Sequence, residues 1–431
     1  MKRQYQIDKE RAVQKFGTAA GASEDAIQLS LPLKEAADLV QQGLMHLAVA
    51  TFTQVAEQMM RWEVDRIAGP RQRANPDREA LRWGAQRGYC VVAGQKVPLQ
   101  RPRVRDTRQR EVPLGSYETL QRASLMEDAI WHKIMHGLTT RRYSAIVREL
   151  KEAYGIDKST ISEHFIAASR GRLQKLDTRP LHRHCLGAIF LDGTIFNQQQ
   201  VIVALGLTLQ GQKVVLGLRQ GATENLTVVR HLLEDLQARG VDFQVPRLYV
   251  LDGGKALRTA VQKMAGPCAV IQRCQVHKIR NVIDHLTAEH QSAIRVKMRN
   301  AYQMRDHADA RRALDLLLHQ LMHLNPSAAK SLQEGLAETL CVHRLRVPNK
   351  LRSSLASTNI IESAFSIVDT VCRNVKRWHG GDQYLRWIAS GLLWAESRWN
   401  RIHGYREMPI LMKELELAVV RSIPVRHASA G

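Results

Sequence analysis

The feature that most constrains the fold is a pattern that occurs twice, in which a short apolar run ends in aspartate and then glycine. The run AIFLD ends at Asp192 before Gly193, and the run LYVLD ends at Asp252 before Gly253. A run that is apolar on both faces indicates a buried strand, and α/β sheets bind ligands beyond the carboxyl ends of their strands. The pattern therefore predicts an α/β domain in which two carboxylates emerge at one edge of a buried sheet.

The segments around these runs follow the order of such a domain. Three strand-like runs (CLGAIFLD, QVIVALGLTL and KVVLGLR) precede a helix-like run, ENLTVVRHLLEDLQARG. A strand (RLYVLD), a helix (GGKALRTAVQKMA) and another strand (CAVIQRC) follow. Three strands and then alternating helix and strand predict a mixed sheet. Residues 278–350 return to a helical pattern, and a last helical stretch carries Glu362.

Two aspartates on neighbouring strands would lie close together and repel each other. Like charges raise each other's pKa, so keeping both ionised favours a bound cation, and Mg²⁺ suits such carboxylates. Two ions about 3.5–4 Å apart would serve phosphoryl transfer. The structural alternative is that each aspartate only caps the next turn, although the repeated pattern favours metal binding. Glu362, taken alone, also fits a glutamate that the helix dipole stabilises.

The charge of the chain indicates a polyanionic partner. Its 431 residues include 63 Lys and Arg against 41 Asp and Glu, a formal net charge of +22. Such an excess predicts nucleic acid as the partner. Apolar runs are far shorter than the roughly 20 residues that span a bilayer, and the polar N-terminus shows no secretory signal. Six scattered cysteines fit a reducing cytoplasm. We therefore expect a cytoplasmic protein without a membrane partner.

Two N-terminal regions are predicted to contact DNA. Residues 61–110 combine dense arginines with β-prone runs, which indicates a basic β-ribbon or, alternatively, a solvated charged hairpin. Residues 126–175 have a helix-turn-helix pattern, with helix ends at Gly137 and Gly155 and a third helix capped by Asp157. Ordinary helical packing is the alternative there. The predicted DNA contacts in these regions are Arg101, Arg103, Arg105, Arg141, Ser159, Thr160 and Ser162.

Taken together, the motifs resemble the Mutator-type family of bacterial insertion-sequence transposases. The resemblance rests on FLDGT, VLDGGKAL, QRCQVHKIRNV and STNIIESAFS, supported by RWGAQRGYC and GLTTRRYSAIVRELKEAYGIDKSTIS. It implies an α/β catalytic domain of the ribonuclease-H-like fold with a mixed sheet, an all-α insertion and mainly helical N-terminal DNA-binding domains. The resemblance also implies that Asp192, Asp252 and Glu362 are the catalytic and metal-binding DDE residues.

The same resemblance implies the activity and its partners. A DDE transposase would use two Mg²⁺ ions, for which Mn²⁺ is an expected substitute. It would cut double-stranded DNA at the terminal inverted repeats of its element and join the ends to target DNA. Because two ends must meet, the resemblance implies a homodimer or larger assembly, in a bacterial cytoplasm and associated with the nucleoid.

The family also has a Cys-x-x-His signature, which Cys274 and His277 match. Zinc binding would need further ligands, for which Cys268 and His285 are the candidates. No second metal-binding pair occurs at zinc-finger spacing, so we do not expect zinc. The expected role is structural, with a buried thiol and imidazole at the junction between the sheet and the helical insertion.

Further basic and aromatic residues follow these motifs. The spacing of Trp387 and Trp394 fits an amphipathic helix that packs on the core, whereas Trp378 and His379 are better candidates for DNA contacts. Basic residues are predicted to hold the DNA backbone or, alternatively, to be solvated; they are Lys278, Arg280, Arg373, Lys376 and Arg377.

These patterns also predict domain boundaries, and two other functions stay open. A DNA-binding regulator would share the charge and the helix-turn-helix but lack an active site. A ribonuclease-H-like structure-specific nuclease would cut DNA and never join it. The predicted segments are a helical region (1–65), the basic β-ribbon (66–120), the helix-turn-helix (121–178), the first part of the catalytic core (179–275), the helical insertion (276–352), the C-terminal core helices with Glu362 (353–410) and a tail (411–431).

Overall fold

A computed structural model gives the fold of the chain. It describes residues 33–71, 80–92, 94–140, 142, 157–196, 199–221, 225–373, 375, 377–378 and 381–422, without the side chains of residues 33–48 and 123–124. Arg141, Lys376, His379 and most of the second helix of the predicted helix-turn-helix lie outside these ranges. The described chain forms two compact units: the first ends at Gly88 and resumes over Pro98–Tyr117, and the second takes in Tyr89–Val97 and the residues from Glu118 onward.

The first unit combines a long helix with the predicted ribbon. Strands appear where the basic β-ribbon was predicted, in the order β1-β2-β3. The Glu63 carboxylate accepts hydrogen bonds from the amides of Gly115 and Ser116, both at 2.9 Å, and so ties the long helix to the chain after the ribbon. The elements are α1 (Leu33–Ala68), β1 (Ala80–Val92), β2 (Gln95–Asp106), β3 (Glu111–Val112) and α2 (Gly115–Leu120).

The second unit is built on a five-stranded mixed sheet in the order β6-β5-β4-β7-β8. β4 to β6 pair antiparallel, while β7 pairs parallel with both β4 and β8. The mixed α/β architecture predicted from the apolar runs is confirmed. The elements are β4 (Leu186–Phe196), β5 (Gln199–Thr208), β6 (Lys213–Gly221), α5 (Leu226–Ala238), β7 (Arg247–Leu251), α6 (Lys255–Ala265), a 3-10 turn (Gly266–Cys268) and β8 (Ala269–Arg273).

Helices cover both faces of this sheet. Successive side chains of a strand point to opposite faces, so a strand that is apolar throughout presents an apolar surface on each face. Ile189 and Leu191 of β4 point to one face, where they join a core with α5 and α6. Ala188 and Phe190 point to the other face and join a second core with the C-terminal helices. Both faces of the strand segments that lead to the aspartates are thus apolar and buried, as the sequence predicted, although β4 continues beyond Asp192 to Phe196.

Helices make up the remainder of the described chain. Within the described ranges every helix is too short or too polar to cross a membrane. Those within residues 275–340 form their own apolar core, while the two that follow, within residues 341–355, join the second core of the sheet. They are α7 (Gln275–Ile283), α8 (Ala288–Gln303), α9 (His307–Leu324), α10 (Pro326–Gln333), α11 (Leu336–Thr339), α12 (Cys341–Arg344) and α13 (Asn349–Leu355). The others are α3 (Ala123–Met135), α4 (Lys158–Thr178), α14 (Asn359–Cys372), α15 (Gln383–Glu396), a 3-10 turn (Tyr405–Glu407) and α16 (Met408–Ser422).

Helix α15 carries the two tryptophans that were predicted to pack in the core. Trp394 is buried among α3 residues, and the Trp387 ring lies 4.6 Å from the ring of Phe165 in α4. The core prediction is confirmed for both. Trp378 stacks on Tyr384 with ring centroids 4.9 Å apart, so this candidate DNA contact is engaged by neighbouring aromatic side chains.

The cap of α10 provides a stability test of the helical insertion. Asn325 Oδ1 accepts from Ser327 N and Ala328 N, and its Nδ2 donates to the His285 carbonyl at 2.7 Å. We expect Asn325→Ala to lower the free energy of unfolding by about 1–2 kcal/mol, the usual value of an N-cap. Urea unfolding measures it. Thr287→Ala is the matched control, because Thr287 caps α8 without a side-chain capping bond. Equal losses in both variants would contradict the assignment.

Candidate active site

The two aspartates lie at the same level on neighbouring parallel strands. Leu191 of β4 pairs with Leu251 of β7, and Asp192 and Asp252 are the next residues of each. Asp192 is 3% exposed and its Oδ1 accepts from Gly193 N at 2.9 Å. Asp252 Oδ1 accepts from the Gly254 amide at 2.7 Å. The sequence prediction that these strands are neighbours is confirmed, and it places both carboxylates at one sheet edge.

The next strand brings Cys274 to the same edge. Arg273 of β8 pairs with Leu251 of β7, so Cys274 occupies the level of the two aspartates. Cys274 is fully buried and is the N-cap of α7, where its Sγ accepts from the His277 amide at 3.5 Å. It also accepts from Thr358 N at 3.4 Å. The thiol therefore lies at the junction of the sheet, the helical insertion and the segment before α14.

Glu362 reaches this edge from the first turn of α14. Asp192, His277 and Glu362 each offer one ligand atom, and these atoms all lie within 4.8 Å of one another. His277 Nε2 is 3.7 Å from Glu362 Oε1, and Arg280 Nη2 is 3.5 Å from Glu362 Oε2. Asp252 is not a member of this group and stands beside it at the end of β7. Residues 170 positions apart in the sequence are thus brought together at one point.

The electrostatics of the site are those of crowded acids facing one imidazole. Burial, and then the charge of Asp252, raise the pKa of Asp192 to about 7, against the opposing effect of His277. The hydrogen bond with the Cys274 thiol, followed by the charges of Cys274, Asp192 and Glu362, raises the pKa of His277 to about 9. The protein therefore places a positive charge among its own carboxylates, as expected where too many acids share a site.

The chemistry of these donors fits a hard divalent cation. Glu362 Oε1 is buried and accepts no hydrogen bond from the described residues. Ionising the Asp192 carboxyl is unfavourable because it is buried and because the charge of Asp252 repels it. A bound cation would offset both effects. Carboxylate oxygens are the ligands that Mg²⁺ prefers. The site can therefore hold Mg²⁺ through Asp192 and Glu362, with Asp252 placed to contribute.

Two further residues, His277 and Thr358, belong to the site, and the sequence analysis did not place either of them there. His277 was assigned to the junction alone, yet its ring also faces Asp192 and Glu362. Thr358 Oγ1 lies 3.3 Å from His277 Nδ1 and 3.5 Å from Cys274 Sγ, which fixes the ring. The available signal was that Cys274 directly follows the third parallel strand, so His277 lies in the first turn of a helix that begins at the edge that holds the aspartates.

Lys278 corrects one of the predicted DNA contacts. Its side chain is fully buried, and Nζ donates to the carbonyl oxygens of Ser331 and Glu334 near the end of α10. Burial lowers the pKa of Lys278 to about 8. The lysine completes the terminus of a helix and does not reach DNA. No local pattern indicated this contact, because in the sequence a lysine buried in this way cannot be distinguished from a solvated one.

The candidate zinc ligands do not form one cluster. Cys268 precedes β8 and Cys274 follows it, so the two thiols lie at opposite ends of that strand. Cys268 Sγ contacts the Gln244 carbonyl oxygen at 2.9 Å. Among the residues that the structure describes, the cluster suited to a metal comprises Asp192, His277 and Glu362.

The other predicted DNA contacts are spread over both units. In the first unit, Arg101 and Arg103 pair with Glu111, and the Arg105 guanidinium lies 4.4 Å from the Trp83 ring centroid. In the second unit, the hydroxyls of Ser159 and Thr160 donate to Asp157, the confirmed cap of α4. Ser162 is half-buried, whereas Arg280, Arg373 and Arg377 are exposed. Their contacts with DNA remain predictions.

The link between Cys274 and His277 leads to a measurable expectation. We expect Cys274→Ala to lower the pKa of His277 from about 9 toward its ordinary value, because the Cys274 hydrogen bond is the largest cause of its rise. Histidine NMR titration in EDTA measures it. Cys341→Ala, at another fully buried thiol, is the control and should leave that titration unchanged. An unchanged His277 pKa in Cys274→Ala would contradict the assigned contact.

Comparisons with known proteins agree on one class. The family model described as "Transposase, Mutator family" matches residues 25–380. The chain is 24% identical over 408 residues to the transposase for insertion sequence element ISRM5 of Rhizobium meliloti, which covers 94% of this chain and 98% of that protein. It is 26% identical to the transposase for IS1201 of Lactobacillus helveticus, covering 63% of this chain and 73% of that protein. The transposase for IS256 in transposon Tn4001 of Staphylococcus aureus is 24% identical, covering 64% and 71%.

Proposed function

The chain belongs to the Mutator family of transposases, and from that premise we propose that it is an insertion-sequence transposase that cuts and joins DNA strands with divalent metal ions. One observation carries the proposal: oxygens of Asp192 and Glu362 lie within 4.8 Å of each other although 170 residues separate them. Asp252 ends the adjacent strand at the same level. Three such carboxylates at a sheet edge suit phosphodiester chemistry.

The sheet supports the finer fold assignment. We infer a ribonuclease-H-like catalytic domain, in which three antiparallel strands are followed by two parallel ones in the order β6-β5-β4-β7-β8. In this arrangement the acids come from the first strand, β4, from the fourth, β7, and from α14, which follows the helical insertion. The proposed domain therefore consists of the sheet with α5, α6 and α14, and residues 276–352 are its insertion.

The proposed roles of the site residues follow from their contacts. Asp192, Asp252 and Glu362 would hold two Mg²⁺ ions, or Mn²⁺ in their place. The bound ions would activate the attacking oxygen and stabilise the leaving oxygen in each phosphoryl transfer. Thr358 and Cys274 fix the position of His277, which holds Glu362 at the sheet edge through Nε2. His277 is a positioning residue in this scheme.

The substrates follow from the class of protein to which the relatives belong. We propose that the protein binds the terminal inverted repeats of its own element and joins their 3′ ends to target DNA. Its net charge of +22 supports a polyanionic substrate. Because two ends must be joined together, a homodimer or larger assembly on DNA is expected. Such a protein would act in the cytoplasm, at the nucleoid.

A strand-transfer assay tests this proposal against its rivals. The full chain is incubated with Mg²⁺ and either intact or pre-cleaved end DNA, taken from the inverted repeats that flank the gene, together with a target plasmid. Cleaved and joined products are expected. Cutting without joining would instead identify a structure-specific nuclease, and binding without cutting would identify a regulator. Either result would overturn the proposal.

A further inference from the structure

A cavity in the second unit is surrounded by arginines that have no acidic partner. It measures about 800 Å³ and lies between the start of α9 and the segment from α12 to α13. Four arginines line it, whereas its single acidic lining residue, Asp306, accepts from the amides of Ala308 and Asp309 as the cap of α9. The lining arginines are Arg305, Arg344, Arg346 and Arg352.

Arg352 is the most informative of the four. It is 5% exposed, and its guanidinium donates to the Arg305 carbonyl oxygen and to Asn349 Oδ1, each at 3.0 Å. Both acceptors are neutral, and no carboxylate in the described part of the chain pairs with this charge. Burying a charge without a counter-ion is costly, so buried charges are normally paired. An anion in the cavity would supply the missing charge.

The other three arginines extend the positive charge to the cavity mouth. Arg305, Arg344 and Arg346 are exposed, and none pairs with a carboxylate among the described residues. On the outer part of α9, by contrast, Arg311 pairs with Asp315 and Arg312 with Asp309. Neighbouring acids thus neutralise the arginines of this helix, whereas the four arginines that line the cavity have no such partner among the described residues.

We propose that this cavity, the arginine pocket, binds the phosphate backbone of DNA beside the carboxylate site. Guanidinium groups match phosphate oxygens with paired hydrogen bonds. Four arginines and no Phe, Tyr or Trp line the pocket, a lining that suits the phosphate backbone, and contacts to the backbone position DNA without reading its sequence. The inference rests on the proposed function only for the identity of the polyanion.

The position of the pocket in the chain connects it to the site. Arg352 lies in α13, and the Ala356 carbonyl at the end of that helix accepts from the amide of Gln275, the first residue of α7 after Cys274. α14 and Glu362 follow directly. A strand held by the arginine pocket is therefore anchored on the segment that leads to Glu362, and DNA bound there would be held in register with the carboxylates.

The salt dependence of DNA binding tests the pocket without any cleavage. The probe is a fluorescein-labelled 40-base-pair duplex of random sequence, titrated with the full chain in EDTA at several KCl concentrations. The double variant Arg305→Gln/Arg346→Gln removes exposed side chains only. For this variant we expect the plot of the logarithm of the DNA association constant against the logarithm of the salt concentration to have a slope shallower by about 1.8. Each of the two lost phosphate contacts contributes about 0.9 to that slope.

The control variant removes the same amount of charge from the neighbouring helix α9. Arg311→Gln/Arg312→Gln neutralises the two acid-paired arginines outside the pocket, and its slope should stay close to that of the unmodified protein. Equal changes in both double variants, or no change in either, would overturn the proposal. Because no divalent cation is present, this result is independent of whether the protein cuts DNA, so the two proposals can fail separately.

Chemical modification of the unmodified protein distinguishes the source of the phosphate. Phenylglyoxal labels exposed arginines, and mass spectrometry locates each label. We expect the duplex to protect Arg305, Arg344 and Arg346 but not Arg312, and inorganic phosphate at the same phosphate concentration to protect none of them. Equal protection by inorganic phosphate would show a site for a free anion and overturn the DNA assignment, as would labelling that the duplex leaves unchanged.

Discussion

Replacing Asp192 by asparagine is expected to abolish DNA cleavage and leave DNA binding intact. The substitution keeps the side-chain volume and the Oδ1 that accepts from Gly193, but it removes the charge that faces Asp252 and Glu362. Losing a single preorganised stabilising group already costs about 10²–10³ in rate, and a shared metal ligand should cost at least that. Cleavage of end DNA in Mg²⁺ measures the loss, and anisotropy measures binding.

The same experiment extends to the other two acids. Asp252→Asn and Glu362→Gln are expected to abolish DNA cleavage as Asp192→Asn does, because the three groups would act on the same ions. Asp284→Asn is the matched control, since Asp284 is an exposed aspartate at the end of α7 without an ion pair in the described chain. More than trace cutting by any two of the three site variants would remove those residues as ligands.

The sheet could be predicted because its signal is local. The runs ending at Asp192 and Asp252 are short and apolar on both faces, the pattern that is typical of a strand buried between two helical layers. Neighbouring parallel strands also end at one edge, so the meeting of the aspartates followed from the strand order. The structure confirms both predictions.

The rest of the site depends on contacts that no local pattern encodes. Glu362 lies 110 residues after Asp252, beyond a helical insertion, and its position results from how α14 packs on the sheet. The two roles of His277 depend on Thr358, whose hydroxyl is adjacent only in the folded chain. Lys278 was misjudged for the same reason: the carbonyls that it caps belong to α10, more than fifty residues away.

The second large effect expected of Asp192→Asn is a gain in stability without divalent cations. Folding raises the pKa of Asp192 from an ordinary 3.8 to about 7, so above pH 7 the folded protein bears the cost of ionising it. That cost is absent only well below pH 3.8, where the group is protonated in both states, and it grows as the pH rises from about 3.8 until it passes 7. At pH 8 in EDTA the variant should be more stable than the unmodified protein by about 2–4 kcal/mol.

The sign and pH range of this gain separate it from ordinary effects of mutation. Removing a buried polar group usually destabilises a protein, whereas here the gain should shrink toward zero as the pH falls from 7 to 4. Urea unfolding at pH 4.5, 6 and 8 in EDTA follows it, with Asp284→Asn as the unaffected control. Mg²⁺ at pH 8 should stabilise the unmodified protein and not the variant, because a ligand of the folded state shifts unfolding by mass action. A variant less stable at pH 8 would mean that the Asp192 charge is already compensated by His277 and its neighbours, and that the site has no need of a cation.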